Sequence, residues 1–184
     1  SAYGALSAGD LDSARASLGQ SLQRAPTDRT YRLAAVAGIE RMRQIAADTT
    51  LAPAIAQQEF QAALSGSVAA GLEASRLGAN DYENWMVLGN VYQSVASLQI
   101  EGAYENAKLS YERAATLNPT TPVIPYIVAQ LEIAQGNTEA AEERLLASIS
   151  LKRDYIPAIL LLSQLKVQTG EAREALEAAE AAAY

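Results

Sequence analysis

Any chemistry in this chain would have to rest on carboxylates. Glu139 and Glu143 stand at positions i and i+4, which puts both on one face of a helix, the arrangement from which acid–base catalysis would have to start. The same pairing arises on any exposed acidic helix. With no cysteine and no histidine in the sequence, disulfides, thiol nucleophiles, zinc fingers and every Ser-His or Cys-His unit are excluded. Gly66, Gly71 and Gly78 are too scattered to cradle a phosphate, and close packing between helices accounts for them better. No catalytic residue, cofactor site or metal site is expected, and the chain reads as a non-enzyme.

The elements that would carry a site show a period instead. Ala107, Ala141 and Ala175 stand at equal intervals, and Gly136 and Gly170 keep the same step. That step is about 34 residues, and with a small residue where helices touch it predicts helix–turn–helix units stacked as a solenoid, each burying an apolar stripe it cannot cover alone. Over 82–121, Trp85, Leu88, Gly89 and Tyr92 are followed by Ala107, Tyr111, Ala114 and Pro119. This pattern resembles the tetratricopeptide repeat (TPR). The resemblance implies an all-α, right-handed superhelical solenoid of TPR helix–turn–helix repeats, forming one domain over 1–184.

Five units are expected: a partial one at 1–28, one with a long insertion at 29–81, one with a short insertion at 82–121, a regular one at 122–155 and a partial one at 156–184. The unit at 122–155 keeps Val128, Ala129, Gly136, Ala141 and Leu145 but has Pro125 in place of the tryptophan and Arg153 in place of the closing proline. Gly89, Ala129 and Ser163 fall at the contact point of first helices, and Ala107, Ala141 and Ala175 at that of second helices. Pro53, preceded by the capping residues Asp48, Thr49 and Thr50, opens a helix. The extra residues, at 44–63 and 97–104, are expected to raise a rim in which Leu98, Ile100 and Tyr104 pack against a helix carrying Glu59, Phe60, Ala63 and Leu64; a partner-binding ridge is the alternative.

In this family first helices line a concave groove, and the register set by Trp85 places Asn90, Gln130 and Gln164 on it, one amide per repeat. One turn earlier come Met86, Tyr126 and Leu160, and one turn later Gln93 or Ser94 and Gln168. Amides can pair with the backbone of an extended peptide, and Met, Tyr and Leu add adaptable apolar contact. The resemblance therefore implies a scaffold that binds a protein or extended, mainly uncharged peptide. The basic clamp with which chaperone-binding members hold a C-terminal carboxylate is missing, since Val87, Val123, Ile127, Pro157 and Leu161 stand where cations would be required.

The net charge of −7 is uneven: seven basic and eight acidic residues lie in 1–81, against seven and thirteen in 82–184. No basic stripe is present, so nucleic acid is not expected as a partner. The glutamates at 139, 142, 143, 171, 174, 177 and 180 read as a solvated outer face, with an acidic docking patch as the alternative. Apolar runs such as 156–162 are too short for a membrane helix, so no direct insertion is expected. The chain opens without methionine and stops inside a second helix, and so reads as a domain of a longer protein. Its incomplete ends, 2–6 and 175–184, would leave apolar faces through which copies could self-associate, giving a spacer as the alternative function. A weaker, local likeness at 98–107 is to soluble TPR regions of bacterial O-antigen ligase-type membrane proteins, which would imply a membrane-associated parent.

Overall fold

The computed structural model describes residues 10–98 and 100–170. These fold into eight helices: α1 (Leu11–Arg24), α2 (Asp28–Ala47), α3 (Pro53–Leu77), α4 (Tyr82–Ala96), α5 (Ala103–Leu117), α6 (Val123–Ala134), α7 (Thr138–Leu151) and α8 (Ile156–Gln168). No strand occurs among the described residues. The segments 2–6 and 175–184, on which self-association was expected to rest, lie outside them, as do Ala175 and the glutamates from 171 onward.

Local signals set the helix boundaries. Thr27 and Thr30 form a reciprocal capping box at the start of α2, and the Asp81 carboxylate accepts from the Glu83 N–H at the start of α4. Pro53 occupies the first turn of α3, where its missing N–H costs nothing. The capping residue there is Ala52, however, without a side-chain bond; Asp48 instead ends α2 and accepts from the Thr50 N–H at 2.8 Å and its hydroxyl at 2.6 Å. Gly136 and Gly170 both adopt a positive φ, 78° and 85°. Gly102, one further period back, does the same at 74°. A left-handed residue ends each of these first helices or opens the next, which glycine does without steric penalty.

The inserted residues in 29–81 lengthen both helices of the pair, to 20 residues in α2 and 25 in α3, with a short turn over 48–52. Those in 82–121 fall between α4 and α5, where 97–98 and 101–102 are turn residues. Leu98 and Ile100 do not pack against the long pair: they are 56% and 39% exposed. Tyr104, anchored in α5, by contrast joins the same apolar cluster as Phe60.

Helices pack most extensively within the pairs α2–α3, α4–α5 and α6–α7, and each second helix then meets the next first helix. First helices also touch one another, α2 with α4 and α4 with α6, while no two second helices pack extensively together. First helices therefore form the crowded inner layer of the array and second helices the splayed outer one. Ala107 and Ala141 are fully buried at the pair interfaces, as are Ala129 and Leu145. Gly89 shows why a small residue is required: a Cβ there would lie 2.4 Å from Cε1 of Tyr111. The large cluster centred on Met42, Val95, Ala107, Tyr111, Ile124 and Leu131 joins four helices, and Ala141, Leu145, Ala158 and Leu162 continue it into the C-terminal unit.

Candidate functional site

From α4 onward the first helices differ from the second helices most in charge. Helices α4, α6 and α8 carry one charged side chain each, Glu83, Glu132 and Lys166, whereas α5 and α7 carry four apiece. The three on the inner helices are engaged in ion pairs: Glu83 with Arg32 at 3.0 Å, Glu132 with Lys108 at 3.1 Å and Lys166 with Glu142 at 2.7 Å. From α4 onward charge is thus confined to the outer helices and to pairs at the seams, whereas α2, the first helix of the irregular unit, carries six charged side chains.

The sequence-predicted groove residues divide into three groups on this layer. Asn90 and Gln93, in α4, turn toward the second helix of their own unit, where the Tyr111 hydroxyl lies 2.7 Å from the Asn90 Oδ1 and 2.5 Å from the Gln93 Oε1. The hydroxyl has one proton to donate, so one of these amides must present its NH₂ group to it. Tyr111 is fully buried, and burial pushes its ionisation far above the ordinary phenol value, which keeps the hydroxyl a donor. These two amides therefore anchor a core side chain. Gln130 is exposed, and its Nε2 donates to the Tyr126 hydroxyl at 3.1 Å, while the Tyr126 ring meets Tyr155 edge-on at 5.7 Å. Gln164 and Gln168 are exposed on α8 beside Leu160, which is 56% exposed.

Met86 lines a cleft of about 410 Å³ where the N-terminal halves of the inner helices converge. Leu33 and Val36 of α2, Val87 of α4, and Val123 and Ile124 of α6 form its apolar walls. Only Met86 among these stands in the amide-and-apolar register that the sequence pointed to; Leu33 and Val36 come from the irregular unit, where that register could not be extended. At its edge Arg32 holds Asp81 at 2.8 Å and the Asn84 Oδ1 at 3.2 Å. Asn84, fully buried, donates in turn to Asp28 at 3.2 Å and to the Gly78 carbonyl at 3.0 Å. The Asn84 amide, and then the Arg29 N–H, hold the Asp28 carboxyl below its ordinary value. This network pins the start of α2 to that of α4 and fixes the cleft's width.

At the positions of the missing carboxylate clamp, Val87, Ile127 and Leu161 are half-buried and pack into the three cores, while Val123 and Pro157 are exposed and uncharged. Arg32, the cation at the cleft, is already held by Asp81 and Glu83. A second buried ionic centre was not visible in the sequence. Glu132, 1% exposed, accepts from the Tyr104 hydroxyl at 2.8 Å, the Lys108 ammonium at 3.1 Å and the Asn137 amide at 2.8 Å. Burial alone would raise its carboxyl, but these three donors more than offset that and hold it below its ordinary value. A lone charge in the apolar run 123–134 was the available signal. Among the described residues, no three His, Cys, Asp or Glu side chains come together as a metal site, and no helix is long and apolar enough to cross a membrane.

No family model matches the chain, and no curated protein does so. Among solved structures it is similar to MamA, at 17% identity and a TM-score of 0.65 over 98% of this chain and 91% of that one. A double mutant described as MamA RS-1 ArsTM is similar at 13% identity and a TM-score of 0.66, covering 98% and 88%. A thermophilic TPR protein of Thermus thermophilus, TTC0263, is similar at 19% identity and a TM-score of 0.64, covering 98% and 86%. The chain therefore has the all-α, right-handed TPR solenoid fold. The local likeness of 98–107 to O-antigen ligase-type proteins finds no support in these comparisons.

Proposed function

We propose that this chain is a non-enzymatic interaction scaffold whose inner, first-helix surface holds an extended, uncharged segment of a partner protein. The observation that carries the reading is the segregation of charge from α4 onward. A surface built from α4, α6 and α8 offers aliphatic, thioether, phenol and amide groups, with each ionised group already paired. A charged partner segment would be desolvated there without compensation, whereas an apolar or amide-rich one would not.

Within the predicted set, Met86, Tyr126, Leu160, Gln164 and Gln168 are the contact residues in this reading, joined by Val36 and Val123. Asn90 and Gln93 support them from behind by fixing Tyr111, and Gln130 orients Tyr126. The TPR fold of MamA and TTC0263 supports an interaction role of this general kind.

The test is affinity capture from lysate of the source cell with the wild-type chain and a Leu160→Glu, Gln164→Glu variant, folding of both being checked by circular dichroism. A protein retained by wild type, released weakly by salt and lost with the variant supports the reading, because apolar contacts are little screened while surface ion pairs are. Retention that collapses in high salt and ignores the variant points to the acidic outer helices. A chain that retains nothing and elutes as a concentration-dependent oligomer is a self-associating spacer.

A further inference from the structure

A cleft of about 230 Å³ opens on the outer side of the unit at 122–155, framed by α5, the first turn of α6 and the end of α7. Its lining includes Ala115, Pro119, Pro125, Arg144, Ala147 and Leu151. The preceding unit shows what normally fills this place. There Trp85 sits in the first turn of α4, donates from its indole Nε1 to the Ala79 carbonyl at 2.9 Å, and carries the Arg113 guanidinium 5.9 Å from its ring centroid. Pro125 is the counterpart of Trp85 and Pro119 of Ala79, each one unit on across the inserted turn; Ala147 is the counterpart of Arg113, one regular period on.

Both partners of the stacked pair have thus been replaced by small side chains, and both replacements line the cleft. Pro125 is tolerated because the first helical turn leaves its N–H positions without intrahelical partners. The surrounding helices have not collapsed into the space, since α5 and α7 are held apart by α6 packed between them.

We infer that this cleft is a socket for an aromatic side chain, indole above all, presented by a partner protein. Its volume falls below the ~300–1,000 Å³ of pockets that enclose whole drug-sized ligands and suits a single large side chain. The walls are mainly apolar, Pro119 is the register counterpart of Ala79, whose carbonyl accepts the Trp85 N–H, and Arg144 in the lining supplies a cation to lie over an inserted ring. Leu151, 45% exposed at the mouth, would be covered by the arriving chain. The socket shares Thr121 and Ile124 with the inner cleft but opens between α5 and α7, and it does not depend on the reading of the inner surface.

The experiment is a titration of the ¹⁵N-labelled chain with N-acetyltryptophanamide, with N-acetylleucinamide as the comparison. Saturable shifts at Ala115, Ala147 and Leu151, at least threefold weaker with the leucine probe, are expected. Pro125→Trp restores the side chain that fills the equivalent place in the preceding unit and should abolish the shifts; Ala147→Leu, which fills the same space from α7, guards against a misfolded first variant. Leu160→Glu should bind as wild type does. Absence of saturable shifts, equal response to the leucine probe, or undiminished binding in the filled variants would overturn the inference.

Discussion

Replacing Tyr111 by phenylalanine isolates the contact that separates a supporting amide from a contacting one. The ring stays, so packing against Gly89 and the surrounding core is preserved, and only the hydroxyl between Asn90 and Gln93 is removed. A buried hydrogen bond contributes about 0.5–1.5 kcal/mol net, and the two half-buried amides recover part of their loss by bonding to water or to each other. Tyr111→Phe should therefore cost about 1–2 kcal/mol, which for a chain of this size lowers the thermal midpoint by roughly 2–8 °C. Asn90→Ala should cost about 0.5–1 kcal/mol in the wild-type background and almost nothing beside Tyr111→Phe, a coupling of the same size. Urea unfolding followed by circular dichroism measures all four corners of this cycle. A Tyr111→Phe variant within about 0.3 kcal/mol of wild type, or an Asn90→Ala penalty equal in both backgrounds, would refute the assignment of these amides to the core.

Three further outcomes are expected. Glu132 has a depressed folded-state value, so its contribution is present above its ordinary value of 4.5 and is lost as pH falls through the lower folded value. Glu132→Gln should accordingly weaken the chain at neutral pH and flatten its loss of stability in that acid window, as read by unfolding at a series of pH values. Ala141→Phe, at a fully buried contact between α6 and α7, should overpack the interface and cost roughly 1–3 kcal/mol in urea unfolding. Gly89→Ala should cost a similar amount by the same assay, because the new methyl meets the Tyr111 ring, itself held by the two amides.

The fold was readable because its signals are local and repeat: a small residue once per period, glycine at the turns, proline at helix starts and ends. Gly102 is a third member of the Gly136–Gly170 series at the same step, placed at the end of the inserted turn rather than directly after α4. What the sequence could not display were bonds between units. Arg32 reaches Asp81 and Asn84 across 49 and 52 residues, and Lys108 reaches Glu132 across 24. The amides illustrate the point most sharply. Asn90 and Gln130 recur as equivalents, yet Asn90 faces a tyrosine on the neighbouring helix and Gln130 does not, since the residue equivalent to Tyr111 one unit on is Leu145, which has no hydroxyl. A periodic amide thus has different work in different units. The exposed turn at Leu98 and Ile100 departed from expectation for a related reason: apolar character marks a residue that can be buried, and only the geometry of the long pair decides whether a surface lies within reach.

Site-specific photo-cross-linking tests the central claim most directly. A photoreactive residue is placed on the inner surface at position 160 or 164, or on the outer face at 139 or 146, and the captured protein is irradiated and its adducts mapped by mass spectrometry. The account predicts adducts from 160 and 164, on an uncharged stretch of the partner, and none from 139 or 146. Adducts confined to 139 and 146 would place the partner on the acidic outer helices and contradict it.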